Sequence, residues 1–99
     1  MSKPVYDRIA LIGLGLIASS MFWAIKRSGL AGEVTGYARS PETRAKAREI
    51  GLCDRVCDSA VEAVEGADLV VLCVPVGAMG PVMQDIAPAL KLGATVSDV

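Results

Sequence analysis

The sequence predicts an α/β fold in which helices cover both faces of a parallel sheet of about five strands. Short apolar segments rich in β-branched residues alternate with capped helical segments along the chain. The segment from Leu69 to Val74 is apolar at every position, as a strand covered on both faces must be. Alternating strands and helices indicate a parallel sheet with right-handed connections, and we expect the strand order 3-2-1-4-5.

The first half of the chain provides three strands and two helices. The predicted elements are strand 1 (Val5 to Ile12), helix 1 (Leu14 to Ser28), strand 2 (Val34 to Tyr37), helix 2 (Pro41 to Ile50) and strand 3 (Arg55 to Cys57). Gly29 and Gly32 are expected to end helix 1, because glycine tolerates the conformations that terminate helices. Ser40 is a capping residue for helix 2, with proline at the first helical position, and Gly51 ends that helix.

The second half of the chain continues the alternation. Ser59 and Glu62 have the spacing of a capping box, which predicts a short helix to about Glu65. Strand 4 follows at Leu69 to Val74. A fourth helix is expected within residues 78–90, with Pro81 near its start and Pro88 near its end, and Thr95 begins strand 5.

Strand 1 runs directly into a Gly-x-Gly-x-x-Ala turn formed by Gly13, Gly15 and Ala18. In a dinucleotide-binding turn the first glycine makes the tight bend, the second lets the backbone approach a pyrophosphate, and the small third residue packs the helix on the strand. Leu16 and Ile17 begin the helix, whose free N–H groups suit phosphate. The pattern therefore predicts a Rossmann-type NAD(P) site, with a glycine-rich turn that binds no ligand as the alternative.

The residues that follow strand 4 are expected to form the opposite side of the site. In the order 3-2-1-4-5, strands 1 and 4 are neighbours at the point where the strand order reverses, and ligands bind in the crevice at that point. Val74, Pro75 and Val76 then lie across from the glycine turn. The alternative is a loop that only leads out of a central strand.

The end of strand 2 bears on the choice of cofactor. NAD-binding domains usually place an acidic residue there to accept hydrogen bonds from the ribose 2′-hydroxyl. This chain has Ala38, Arg39 and Ser40 instead, with Arg44 one turn into helix 2. Arginine and serine can bind a 2′-phosphate, so these residues favour NADP over NAD. The alternative is that both arginines are solvated surface charges and that Ser40 is only a helix cap.

Composition excludes several other functions. A net charge of −1 gives no basic footprint for nucleic acid. The uncharged run of residues 69–84 is too short for a membrane helix and contains Pro75 and Pro81. Three cysteines without any histidine form no familiar metal pattern, so we expect reduced core thiols in a cytoplasmic protein that holds no metal.

Taken together, these motifs resemble the N-terminal domain of the prephenate and arogenate dehydrogenases, which include the cyclohexadienyl dehydrogenases. The similarity extends over nearly the whole chain. It is carried by the glycine turn, Gly36-Tyr37-x-Arg39-Ser40-Pro41-Glu42, Ala67-Asp68-Leu-Val-Val-Leu-Cys-Val-Pro-Val76 and Ser97-Asp98-Val99. The Pro75-Val76 and Ser97-Asp98-Val99 elements are the most specific to this family. The chain departs from the family at Ala18, where glycine is common, and at Ala38, where an acid is frequent.

The resemblance implies an NAD(P)-binding domain over residues 1–99 of an enzyme that oxidatively decarboxylates a cyclohexadienyl substrate in tyrosine biosynthesis. In that family a catalytic histidine, the substrate pocket and the homodimer contacts belong to later sequence and a helical second domain. We therefore expect no catalytic residue within these 99 residues and no activity from them alone. Three alternatives remain open: an oxidoreductase of the β-hydroxyacid dehydrogenase or pyrroline-carboxylate reductase type, a non-enzymatic nucleotide-sensing module, and an interaction module.

Overall fold

The predicted parallel sheet is confirmed. The computed structural model describes residues 5–98, so Val99 of the Ser97-Asp98-Val99 motif lies outside the described part. The five parallel strands are ordered β3-β2-β1-β4-β5. They are β1 (Tyr6–Ile12), β2 (Ala31–Tyr37), β3 (Arg55–Val56), β4 (Leu69–Leu72) and β5 (Thr95–Asp98). The helices are α1 (Leu16–Ser28), α2 (Pro41–Ile50), α3 (Ala60–Val64) and α4 (Val76–Ile86), and a single 3₁₀ turn, Ala87–Ala89, follows α4.

Alternate residues of β1 serve two separate hydrophobic cores. Ile9 and Leu11 pack on one face with Phe22 and Ile25 of α1. Ala10 and Ile12 pack on the other face, in a cluster with residues of α3 and α4 that includes Ile86. Because both faces of β1 are fully buried, the strand is apolar from Ile9 to Ile12 and has no solvent face.

Asp68 fixes the start of β4 beside the start of β1. One of its carboxylate oxygens accepts hydrogen bonds from the main-chain N–H groups of Asp7 (2.8 Å) and Arg8 (3.1 Å). Lys91 pairs with the other oxygen. From this point the two strands run in parallel register from Ile9 opposite Leu69 to Ile12 opposite Leu72. The carboxylate therefore aligns the two strands whose opposite ends form the crevice described below.

Two predicted boundaries in the first half of the chain were wrong. Helix α1 begins at Leu16 and not at Leu14, because Gly13 has a φ of 97° and Gly15 is extended, which assigns both to the turn. Strand β2 begins at Ala31 and not at Val34, because it pairs with β1 from Tyr6 onward. The predicted stop at Gly32 lies within that strand, where pairing with β1 outweighs the low intrinsic strand preference of glycine.

The second half differs at the end of β4 and at the fourth helix. Strand β4 ends at Leu72 and not at Val74. The Cys73 N–H still donates to the Ile12 carbonyl (2.7 Å), but the paired register of β1 and β4 stops at Ile12 and Leu72, where Gly13 begins the turn. Helix α4 begins at Val76, directly after Pro75, so it starts before the predicted range of residues 78–90 and ends within it. Pro81 lies inside the helix and not near its start. Strand β3 is shorter than predicted by one residue, within the usual uncertainty of element ends.

The three cysteines are free thiols. Cys53 is buried in the α1/α2 core and Cys57 in the α3/α4 core. The Cys53 sulfur fills the space beside Gly36, where an added Cβ would come within 2.6 Å of it. Burial raises the pKa of Cys53 to about 12 and also raises the pKa values of Cys57 and Cys73. All three thiols are therefore protonated at neutral pH.

Stability should fall in acid partly through Asp68. Hydrogen bonds from Lys91 and from the main-chain N–H of Arg8 lower its pKa below the ordinary value of 3.8. A lowered folded-state pKa contributes stability above the unfolded-state pKa, and that contribution is lost as pH falls through the folded-state value. We expect Asp68→Asn to lower the urea midpoint at about pH 7. Between about pH 7 and about pH 3 the midpoint should then fall less in the variant than in the parent chain. Asp7→Asn is the matched control, and an equal effect of both substitutions would contradict this assignment.

Candidate functional site

A crevice of about 990 Å³ opens at the carboxyl ends of the central strands. It lies where β1 and β4 adjoin, which is the point in the sheet where the strand order reverses. Its walls come from the ends of β1 and β2, from the loops after β3 and β4, and from α4. The lining residues are Ile12, Gly13, Tyr37, Arg39, Asp58, Ser59, Ala60, Val61, Val74, Pro75, Gly77, Ala78, Pro81, Val82 and Asp85.

Gly13 allows the turn after β1 to lie against the chain leaving β4. Its φ of 97° is unfavourable for residues with a side chain. A Cβ at this position would lie 2.6 Å from the Cys73 carbonyl oxygen and 2.9 Å from a methyl carbon of Val74. The Gly13 N–H donates to the Tyr37 carbonyl (2.7 Å), which also ties the turn to β2. The fold therefore requires glycine at position 13 whether or not a ligand binds.

Gly15 is under no such internal constraint. Its backbone is extended and has negative φ, and apart from its chain neighbours no atom of residues 5–98 lies within 4 Å of the position that a Cβ would occupy. It precedes α1, whose first turn has no side-chain cap and no acidic residue. The first N–H groups of that helix are thus left for another acceptor, and the helix dipole favours an anion there.

The turn after β2 holds two arginines in different environments. Arg39 is exposed, lines the crevice and makes no ion pair within residues 5–98. Arg44 is largely covered, with 14% of its side chain exposed, and donates to the carbonyls of Ala38 (2.7 Å) and Arg39 (3.1 Å). Its guanidinium also lies 5.5 Å from the centre of the Tyr37 ring. Arg44 therefore orders the turn, while Arg39 is free to contact a ligand.

Ala38 and Ser40 contribute to this turn mainly through local structure. The Ala38 side chain is buried in the α1/α2 core, so an acid placed there would bring a carboxylate into apolar surroundings. The Ser40 hydroxyl accepts a hydrogen bond from the Thr43 N–H (3.4 Å), which makes it the predicted cap of α2. Its helix-terminal position still leaves it at the same edge of the sheet as Arg39.

Asp58 and the start of α4 also line the crevice. Neither Asp58 nor Pro81 of α4 was identified from the sequence as part of the site. Asp58 directly follows Cys57, at the carboxyl end of β3. The hydrogen bond and the positive charge of Arg48 lower its pKa. On α4, the ring of Pro81 replaces the N–H that would bond the Gly77 carbonyl in a regular helix. The parallel sheet order could have located Asp58, because all strand ends of one direction share one edge.

The structure brings together part of the predicted site in one cavity. Gly13, Arg39, Val74 and Pro75 line it. Ala18 is fully buried between α1 and the sheet, as the packing argument requires. Three further predicted residues begin the flanking helices and expose most of their apolar surface: Leu16 (86% exposed), Ile17 (58%) and Val76 (83%).

The family model described as "Prephenate dehydrogenase, nucleotide-binding domain" matches residues 22–99. The chain belongs to the prephenate dehydrogenase family. The match covers most of α1 and everything after it, which includes the loop that follows β4 and the Arg39 turn. The glycine turn precedes the matched range.

Among the curated relatives, one supports this family and another is a different type of oxidoreductase. The chain is 47% identical over 94 residues to a cyclohexadienyl dehydrogenase of Zymomonas mobilis, an alignment that covers 95% of this chain and 32% of the relative. It is 41% identical over 92 residues to a pyrroline-5-carboxylate reductase of Pseudomonas aeruginosa, covering 92% of this chain and 32% of that protein. The chain thus spans about a third of the length of these relatives.

Solved structures of the prephenate dehydrogenase family have the same fold. Arogenate dehydrogenase of Synechocystis superposes with a TM-score of 0.82 at 30% identity, over 93% of this chain and 32% of that one. Prephenate dehydrogenase of A. aeolicus, in complex with hydroxyphenyl propionate and NAD⁺, superposes with a TM-score of 0.81 at 27% identity, over 99% of this chain and 34% of that one. Within residues 5–98, no helix is long and apolar enough to span a membrane.

Proposed function

We propose that this chain is the NAD(P)-binding domain of a prephenate or arogenate dehydrogenase. The observation that carries the proposal is the open space above Gly15, beside the uncapped start of α1 and at the edge of a large crevice. That arrangement suits a pyrophosphate, which needs close backbone approach, unpaired N–H donors and a favourable helix dipole. Membership of the family supports the same ligand.

The two ends of the dinucleotide would contact different walls of the crevice. Arg39 and Ser40 lie at the β2 side, where the adenosine ribose of a Rossmann-bound dinucleotide sits. Val74 and Pro75 follow β4, across the switch point, and would face the nicotinamide half. The exposed apolar surfaces of Ile17 and Val76 suit the flat face of an aromatic ring better than they suit water.

The nicotinamide, when bound, supplies the hydride acceptor for oxidation of a cyclohexadienyl hydroxyl, with loss of carbon dioxide. The residues of this chain bind and orient it, which is the protein's main contribution in cofactor-dependent reactions. We propose residues 1–99 as this domain, and we assign the catalytic histidine and the substrate pocket to a further helical domain, in an enzyme that works as a cytoplasmic homodimer. The threefold greater length of the relatives supports that arrangement.

Arg39 supports a preference for NADP over NAD. It is an exposed guanidinium in the crevice, without a carboxylate partner in the described part of the chain, and no acid occupies the buried position at Ala38. Arg44 assists by holding the main chain of the turn and not by direct contact.

The second candidate is a pyrroline-carboxylate reductase, which the Pseudomonas relative favours. Both candidates use this domain in the same way and differ in the substrate that receives or donates the hydride. Turnover is therefore the test that separates them.

Gly15→Val should abolish dinucleotide binding while the domain stays folded. Within residues 5–98 the new Cβ meets no atom within 4 Å apart from those of its chain neighbours, and the valine side chain fills the space that the pyrophosphate needs. We expect calorimetry to give binding at least about a hundredfold weaker, roughly 2.7 kcal/mol, with an unchanged circular dichroism spectrum. Gly13→Ala is the contrasting variant, because its Cβ collides with the protein and should lower thermal stability. Unchanged affinity in folded Gly15→Val would remove this turn from the site.

Arg39→Ala should weaken NADP⁺ by about ten- to a hundredfold, or roughly 1.5–3 kcal/mol, and leave NAD⁺ nearly unchanged. The difference arises because a guanidinium forms charge-assisted hydrogen bonds with the 2′-phosphate that NAD⁺ lacks. Titration calorimetry of both cofactors measures it, with Arg27→Ala on α1 as the control. Equal losses for both cofactors would mean that Arg39 does not recognise the phosphate.

The reaction itself can be tested with a chimaera. The 99 residues contain no histidine, so we expect the domain alone to form no reduced cofactor with prephenate or arogenate. Joined to the remaining two-thirds of the Zymomonas enzyme, it should oxidise these substrates. Turnover by the isolated domain would refute the first expectation. A chimaera that binds dinucleotide but oxidises neither substrate, under conditions where the intact Zymomonas enzyme does, would contradict the proposed role of this domain. Because the substrate pocket of the chimaera is that of the Zymomonas enzyme, the two candidates are separated by turnover of cyclohexadienyl and pyrroline substrates by the full-length protein with its own substrate domain.

A further inference from the structure

Asp58 places a carboxylate in the crevice on the same side as Arg39. It lies on the loop after β3, one strand beyond the position where dinucleotide-binding domains usually carry their acid. Its side chain is 72% exposed, so it is accessible to a ligand in the crevice. Arg48 lowers its pKa, and the group is therefore ionised at neutral pH.

Two arginines of α2 share this carboxylate. Arg48 donates to Oδ1 of Asp58 at 2.7 Å and to the Val56 carbonyl at 3.0 Å. Nε of Arg44 lies 3.5 Å from the same Asp58 oxygen. That Nε is buried and makes no hydrogen bond within residues 5–98, so Arg44 keeps an unused donor beside Asp58.

Arg44 does not depend on Asp58 for its position. The carbonyls of Ala38 and Arg39 and the ring of Tyr37 also hold its guanidinium. Removing the Asp58 charge should therefore leave the β2–α2 turn in place and increase the positive potential around it. Arg39 lines the crevice, and the positive charges of Arg44 and Arg48 behind it would then lack their counter-charge from this loop.

A 2′-phosphate is sensitive to that balance. It carries a charge of about −1.5 to −2 at neutral pH, and it would enter the part of the crevice that Arg39 and Asp58 both line. The carboxylate repels the phosphate and offsets the positive charge of Arg44 and Arg48, whereas the 2′-hydroxyl of NAD⁺ brings no charge. Asp58 therefore lowers the affinity for NADP⁺ and leaves the affinity for NAD⁺ nearly unchanged.

We propose that Asp58 is a specificity-determining residue of the dinucleotide site: by neutralising Arg44 and Arg48 it limits the preference for the 2′-phosphorylated cofactor. The inference rests on the proposed dinucleotide-binding function. It gives the chain an acidic determinant on the loop after β3, since the usual position at the end of β2 holds the buried Ala38.

The test is calorimetric titration of Asp58→Asn with NADP⁺ and with NAD⁺ on the 99-residue chain. We expect the ratio of the two affinities to shift towards NADP⁺ by about fivefold, with nearly all of the change in the NADP⁺ affinity. Asp58→Glu preserves the charge and should restore the parent ratio. The shift should shrink between about 0.1 M and about 1 M salt, because exposed charges are screened.

A second substitution tests the same balance from the opposite direction. Arg48→Gln removes the nearer partner of Asp58 and should shift the ratio towards NAD⁺. Glu49→Gln is the control for net charge, because Glu49 is an exposed residue of α2 outside the crevice lining and makes no ion pair in the described part of the chain. It should leave the ratio unchanged.

The outcomes separate the two proposals. If the parent chain binds both dinucleotides and the ratio stays constant in Asp58→Asn and in Arg48→Gln, the inference about Asp58 is wrong and the proposed function stands. An equal shift in Glu49→Gln would also overturn it, since the effect would then follow net charge. If the parent chain binds neither dinucleotide, both proposals fail together.

Discussion

The contact between the turn after β1 and the chain leaving β4 is the constraint on which the site depends. At Gly13 the two segments are so close that a single Cβ would collide with the Cys73 carbonyl. The paired register of β1 with β4 stops at Ile12 and Leu72, directly before this contact. Gly13, Val74 and Pro75 then line the crevice. Asp68 sets the same alignment from the opposite end of the strands, by holding Asp7 and Arg8.

Charge is distributed unevenly around the crevice. Arg44 and Arg48 are used within the protein, because they bind main-chain carbonyls and Asp58. Arg39 alone among these arginines has no carboxylate partner in the described part of the chain. From the sequence, Arg39 and Arg44 were both candidates to bind a 2′-phosphate. In the fold, Arg44 donates to main-chain carbonyls of the turn, whereas Arg39 lines the crevice. Specificity in such a site arises from which guanidinium is left free and how much countercharge lies nearby.

The sequence predicted those features that short-range chemistry determines. The capping residues Ser40 and Ser59 accept hydrogen bonds from the expected N–H groups, and the strand order is the one expected for this alternation of strands and helices. Features that depend on contacts between distant segments were missed. Strand β2 extends back to Ala31 because β1 provides partners, and Pro81 lies inside α4 although its ring blocks a helical hydrogen bond. Asp58 was missed for the same reason. Its arginine partners lie ten or more residues earlier in the chain, and only the fold brings them together.

The cysteines give each core its own chemical reporter. Cys53 is enclosed on the α1/α2 side of the sheet and Cys57 on the α3/α4 side, and both thiols are protonated as well as covered. Alkylating reagents require a thiolate that solvent can reach. Labelling at either position therefore records how often that side of the sheet opens, and the two rates together distinguish local opening of one face from cooperative unfolding of the whole domain.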